Sequence, residues 1–348
     1  MESIKTKKSN LELLRIINML LIIAHHLAVH TPFTFENVHI KYIVYFLSLG
    51  GKIGVNSFIL LTGYLLIDKK INLKNLYRIW IDVLFYLIVI QVFFYFYDSN
   101  YFSNDIKILF FPITYYWFIR TYFIMSIILY FLDFNYKERK RYLKFIITLI
   151  VFWSIISPVF NINLDYSNVL WFILLYFIGG YIKLYVKKIK NNYWYLCGSI
   201  FFYFLIFIRT INSPSVLEEN QYIITRYIGM DDFFVLLTSI FLILFFSNLD
   251  IKYNKYINIV SSTTFGIYLI HDNGSVRNFL WNNYFRLFEI TKSKDLILNS
   301  IGIIFSIFFI CMIIDLIRKF IIEILLKKKL DQFYGLLLSL NNKIDKII

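Results

Sequence analysis

Residues 11–30 read LELLRIINMLLIIAHHLAVH, an apolar run interrupted by Glu12, Arg15, His25, His26 and His30. About 20 such residues carry an α-helix across the ~30 Å hydrocarbon core of a bilayer. Comparable runs recur near 42–66, 75–97, 113–133, 145–160, 168–186, 193–210, 232–248, 259–274 and 295–317, separated by short charged knots. In lipid every backbone polar group must be satisfied within the chain, so long apolar runs of this kind are helices. The pattern predicts an all-α, polytopic transmembrane bundle of about ten spans. The 145–160 and 259–274 segments are the shortest.

Composition agrees. The 348 residues are 59% apolar and only 17% charged, with mean hydropathy +0.65, whereas soluble domains are about one quarter charged. Aromatic residues reach 21%, and part of that tyrosine and tryptophan content suits interfacial anchoring. Cys197 and Cys311 lie in different apolar segments; their separation suggests neither a metal cage nor a disulfide framework. The basic start (Lys5, Lys7, Lys8) and the run behind it superficially resemble a signal peptide. That run carries charges and lacks a small-residue cleavage site, so it reads as a retained first span.

Net charge is +14, which in a soluble chain would suggest nucleic acid. Here the positive charge alternates with the spans. Placing the N-terminus inside puts Lys69, Lys70, Lys74, Arg78, the 137–144 cluster, the 183–190 cluster and the basic tail on one side. Basic residues on that side outnumber those on the other by roughly three to one, the bias expected of cytoplasmic loops. Both termini are thus expected to be cytoplasmic, and no nucleic-acid partner is expected. Two units are expected: a membrane domain over 1–318 and a basic cytoplasmic tail over 319–348. In the tail, Leu325, Leu326, Leu330 and Tyr334 alternate with Lys327–Lys329, a pattern suited to an interfacial amphipathic helix.

Polar side chains inside lipid are costly and so are functional candidates. Ser9 and Glu12 fit a capping box at the start of the first helix. Arg15 and His26 are eleven residues apart, which on an α-helix is three turns plus about 20°, so both face one side, about 16 Å apart along the axis. His25 is rotated away by roughly 100°, and His30 lies one turn further out. An imidazole can take a proton from a hydroxyl at neutral pH, and a cation on the same face would attract a phosphate-bearing donor. No Gly-rich phosphate loop, metal-spaced His/Cys set or Gly-x-Ser-x-Gly nucleophile elbow is present.

Arg15-x10-His26 resembles the first-helix signature of the membrane acyltransferase-3 family. Three further stretches resemble the same family: Gly54–Leu65, with Thr62 where a serine is common; Tyr116-Trp117-Phe118 with Arg120 and Tyr122; and Phe265–His271. The similarity runs from about residue 11 to 318. It implies an acyl-CoA donor, acetyl-CoA foremost, used as a co-substrate with no permanently bound cofactor. It further implies an extracytoplasmic hydroxyl acceptor, on a polysaccharide or lipid-linked glycan, and His26 as the essential base with Arg15 on the same helix. The family often carries Arg-x-x-Arg at the cytoplasmic start of the third helix. Here Asn75 replaces the first arginine, Arg78 matches the second, and Lys74 is adjacent. Lys74, Arg78 and Arg120, the last expected to face protein, are the donor-side candidates. Lys52, Trp117 and His271 are the acceptor-side ones. Asp231 and Asp232 read as helix-start charges, and Asp315 as a partner of Arg318 and Lys319. Two rival readings are a transporter, which broken helices or inverted repeats would favour, and a polysaccharide polymerase, which large outer loops would favour.

Overall fold

The computed structural model describes residues 8–30, 38–69, 71–98, 100, 111–132, 138–151, 167–212, 229–285 and 295–325. Among these residues the chain is all-helical: α1 Ser9–His30, α2 Val38–Leu66, α3 Leu73–Tyr97, α4 Trp117–Phe131, α5 Arg139–Val151, α6 Ser167–Tyr185, α7 Tyr193–Ile211, α8 Phe233–Asn248, α9 Lys255–Ser262, α10 Thr264–His271, α11 Gly274–Phe279 and α12 Leu296–Leu325. Six of them (α1, α2, α3, α6, α7 and α12) are long and apolar enough to cross a membrane. α4 and α8 are shorter apolar helices. The tail beyond Leu325, and the outer part of the 145–160 segment, lie outside the described residues. α12 itself runs through residue 318 to Leu325.

α2 is the central post, with 72% of its span window buried against 17% for α7. It packs most extensively on α1 and α6. Those contacts are close because glycines line them. A Cβ at Gly54 would press on the Asn18 carbonyl of α1, one at Gly51 would collide with His25, and one at Gly63 or Gly179 would strike backbone of the facing helix. Small residues let helix backbones approach where no hydrophobic drive exists between them. On the opposite extreme, α3, α7 and α12 expose Phe93, Phe96, Phe201, Phe204, Phe305 and Phe309, as helices facing acyl chains would.

Two segments differ from single spans. The 113–133 run gives a 3₁₀ turn (Pro112–Thr114) followed by a 15-residue helix. The 259–274 run is broken into α9, α10 and α11. The physical cause of the first break is local: Ser262, Thr263 and Thr264 each donate their hydroxyl to the carbonyl three residues back, competing with the helical ladder. Lys319 of α12 donates to the Ser262 carbonyl at this break. The second break is capped by Asn273, whose side chain accepts from Ser275 N at 3.0 Å.

The apolar interior divides into two clusters. One gathers α2, α4, α5, α6 and α8; the other gathers the middle of α1 with α3, α10 and α12. Phe58 and Phe118 pack against both, so the two meet along a seam.

Candidate active site

A cavity of about 220 Å³ opens along that seam. One wall is the α1 stripe Arg15, Met19, Ile22 and His26, at the helical spacing i, i+4, i+7, i+11 that keeps side chains on one face. α2 contributes Phe58 and Thr62, α4 Trp117, Phe118 and Tyr122, α3 Ile79, and α10 Thr264, Phe265 and Tyr268. The cavity is thus an apolar corridor with a guanidinium and an imidazole on one wall.

At the His26 end the side chains form an ordered hydrogen-bond chain. His271 is completely buried, and its Nδ1 lies 2.6 Å from the Ile267 carbonyl oxygen. A carbonyl only accepts, so Nδ1 of His271 carries the proton and its Nε2 is the lone-pair nitrogen of a neutral ring. His26 Nδ1 is 3.0 Å from that Nε2, which makes Nδ1 the protonated nitrogen of His26. Nε2 of His26 is then left as an acceptor. Asp272 Oδ1 lies 3.7 Å from it, placed to favour an imidazolium if the ring takes a proton. Arg277 in turn pairs with Asp272 at 3.5 Å. His25 is occupied elsewhere, its Nδ1 2.5 Å from the Ser48 carbonyl. The His30 ring lies 5.2 Å from the His26 ring, tilted at 44° to it.

The position of His271 is fixed from the turn that leads into α4. Tyr116 donates to the Leu269 carbonyl at 2.6 Å, and Gly274 N donates to the Tyr115 hydroxyl at 2.8 Å. Asn273 donates to Tyr116 at 3.3 Å. The helix break at 272–273 is therefore clamped by two tyrosines. His26, His30 and Asp272 bring possible ligand atoms within 4.8 Å of one another. A cation held there would compete with Arg277 for Asp272 and would meet His26 through Nε2, leaving Nδ1 on His271.

Toward the N-terminal part of α1, Arg15 is about one-third exposed and its ion pair with Glu12 is long, 3.8 Å. Glu12 is committed to Ser261 of α9, whose hydroxyl donates to it. Ser9, the expected partner of Glu12 in a capping box, instead accepts from Asn254 N and Asn258 Nδ2 at 2.8 and 2.9 Å. Asn10 donates to the Phe246 and Leu249 carbonyls. The capping-box expectation is thus corrected: these polar groups stitch α1 to α8 and α9, because orphan groups at those helix ends are close enough to use them.

Of the other candidates, Trp117 lines the cavity and Lys52 lines a second one nearby. Lys74 and Arg78 lie in the first turns of α3, just before the cavity residue Ile79. Arg120 is exposed, where a protein-facing position was expected. Trp117, Phe118 and Tyr122 take the inward face of α4, and position 120 is about 200° of helix rotation from 118 and 122. Asp315 is fully buried and pairs with Arg318 at 2.8 Å and Lys319 at 2.9 Å. It also accepts from Tyr86 of α3 at 2.6 Å, a clamp joining α3 to α12. Sequence reasoning did not single out Asp272 and Arg277. Asp272 sits beside His271 at the end of an apolar run, which was the available signal; Arg277 gave none, since it reads as an outer-loop cation.

An all-helical chain with several membrane-length helices and a histidine–arginine corridor defines a class of integral membrane protein with a built polar site. Comparison with family models makes it specific: the acyltransferase-3 family, described as an acyltransferase domain, matches residues 8–316. The chain belongs to this family, and is a membrane acyltransferase. Neither the curated proteins nor the solved structures yield a match.

Proposed function

We propose that the protein transfers an acyl group, acetyl foremost, from cytoplasmic acyl-CoA to a hydroxyl of an extracytoplasmic cell-surface glycan, in a bacterial plasma membrane. The observation that carries this reading is the shared corridor of Arg15 and His26, with His26 Nε2 left as a proton acceptor. In this reading about ten spans cross the bilayer with both termini inside, as the charge alternation suggests, which sets Arg15 inward and His26 outward.

Acyl-CoA enters from the side of Arg78 and Lys74, with Arg15 meeting anionic or carbonyl oxygens of the donor. Its acyl thioester lies along the apolar wall of Met19, Phe58 and Phe118. The acceptor hydroxyl gives its proton to His26 Nε2 while its oxygen attacks the thioester carbonyl. The carbon–sulfur bond then breaks, the CoA sulfur leaves as thiolate, and the proton on Nε2 neutralises it. The ester product and free CoA balance the reaction. Throughout, His271 holds His26 in the tautomer that keeps Nε2 available, and Asp272 offsets the transient imidazolium charge.

The broken α9–α10 segment is a feature that transporters also use. In this protein the freed Ser262 carbonyl is taken by Lys319 instead of facing the corridor, which supports a structural break over an ion site. The test is direct. Purified protein in liposomes, given labelled acetyl-CoA inside and glycan acceptor outside, is expected to move label onto the glycan, and His26→Ala is expected to stop it. Full transfer by folded His26→Ala would sink the reading.

A further inference from the structure

A second cavity, about 280 Å³, lies on the other side of Trp117. Its polar wall is Lys52 of α2, Asn168 of α6 and Asp231 in the turn before α8; its aromatic wall is Trp117 and Trp171. Several details show that it is built. Trp171 is buried and donates its indole N–H to Asn56 at 3.1 Å, and Asn56 donates to the Met230 carbonyl at 2.8 Å. This relay, through an asparagine with no exposed surface, ties the α2, α6 and pre-α8 walls together. Gly229 belongs to the same design: a Cβ there would collide with the Asp231 carboxylate.

The two adjacent aspartates are used differently. Asp232 caps α8, accepting from Phe234 N and Val235 N, and pairs with Arg209 at 2.5 Å. Asp231 lines the cavity, within electrostatic range of Lys52. The helix-start role expected for both thus belongs to Asp232. Lys52 is a charged side chain in the middle of the most buried span, a placement that costs energy and marks function.

We propose that this cavity binds one neutral sugar ring. Ammonium and amide donors face carboxylate and amide acceptors, matching a ligand whose hydroxyls both donate and accept. The Trp117 indole, partly exposed, offers flat apolar surface for the C–H face of a pyranose, with buried Trp171 behind the wall. Charge decides the class: Asp231 disfavours an acidic sugar, Lys52 an amino sugar, and the pair together leaves the neutral polyol. The volume is near the lower end of the roughly 300–1,000 Å³ of small-molecule sites, room for one ring and not for an oligosaccharide. Because Trp117 lines both cavities, a ring stacked on it is next to the His26 corridor. That this ring belongs to the acyl acceptor rests on the acyl-transfer reading; the binding does not.

The experiment is a tryptophan-fluorescence titration of the full chain in nanodiscs. The probes are neutral pyranoses (glucose, galactose, rhamnose, N-acetylglucosamine), glucuronate and glucosamine. At least one neutral pyranose is expected to bind roughly tenfold more tightly than both charged sugars, a gap of about 1.4 kcal/mol. Asp231→Asn is expected to raise glucuronate affinity and Lys52→Met glucosamine affinity, each by about the same factor. Trp117→Leu is expected to weaken every sugar; thermal unfolding in the nanodisc checks that each variant folds, and Trp117→Phe serves if the leucine variant does not. No binding by any neutral pyranose, or a preference order unmoved by both charge variants, overturns the proposal. Sugar binding without acyl transfer would leave this site standing and remove the acyl-transfer reading. Acyl transfer whose acceptor KM ignores both charge variants would leave the acyl-transfer reading standing and overturn the assignment of the bound ring to the acceptor.

Discussion

Both ends of α1 carry polar residues and use them in opposite ways. At the N-terminal end Ser9, Asn10 and Glu12 are spent on neighbours: backbone of the α8 end, the α9 start, and the Ser261 hydroxyl. At the C-terminal end His25 is spent on Ser48, while His26 is spent on one nitrogen only. A polar group in a membrane helix is satisfied or available, and only its partners decide which. The difference leaves an available nitrogen at the C-terminal end of α1 and helix registration at the N-terminal one.

That contrast can be broken by mutation, and the largest effect is expected at His26. His26→Gln keeps a polar group of similar reach but no base, and acyl transfer should fall on the order of 10³-fold, as loss of general-base catalysis does. Measured turnover within tenfold of the parent would put the chemistry elsewhere.

Next comes the nitrogen behind it. His271→Leu removes the acceptor that fixes the His26 tautomer, and kcat is expected to drop on the order of 10²-fold with the donor KM little changed. His271→Gln, whose carbonyl oxygen can accept from His26 Nδ1, should recover much of the loss. A leucine and a glutamine variant equally impaired, with KM raised in both, would mean a packing role instead.

Arg15 sharpens the comparison because it lies between the two ends. Arg15→Ala is expected to raise the acyl-CoA KM about tenfold, corresponding to ~1.4 kcal/mol of a charge-assisted contact. A lysine there should recover part of it. A change confined to the acceptor KM would reverse the assigned direction of the corridor.

At the N-terminal end of α1 the expected effect is on stability. Ser9→Ala leaves Asn254 N and Asn258 Nδ2 without their hydroxyl acceptor, costing about 1–3 kcal/mol. It should appear as a lower unfolding temperature in detergent, with kcat per folded molecule within twofold of the parent.

The smallest effect is expected outside the spans. Lys183 donates to Asp68 at 2.5 Å and holds that carboxyl below its ordinary range. The pair therefore stabilises above the ordinary carboxylate pKa and its contribution fades as pH falls through the lowered one. With Asp68 44% exposed, Asp68→Asn should cost under about 0.5 kcal/mol at neutral pH, read as a shift in unfolding temperature that disappears in acid.

Helix content and the Arg15–His26 face were legible in the sequence because both follow from periodicity. Apolar length specifies a spanning helix, and 100° per residue specifies which side chains share a side. The continuity of the 259–274 run was not legible. Its apolar character predicts a span, but hydroxyl back-bonding at 262–264 and the Asn273 cap divide it. Nor could spacing tell that Arg120 points away from the corridor, since the inward face of α4 is set by packing against α6 and α10. The glycines at 51, 54 and 63 fell within or beside a recognisable motif; what they do there, letting α1 and α6 close onto α2, is visible only once those helices are in place.

By itself, then, the sequence determined the membrane helices, the common face of Arg15 and His26, and the family resemblance. These depend on local spacing and on residue order. The tertiary structure decided which polar groups remain available. A hydrogen bond from residue 26 to residue 271, or a carboxylate turned from a helix cap into a cavity, joins parts of the chain that no local pattern relates. Whether a buried nitrogen is a strut or a base depends on what stands across from it.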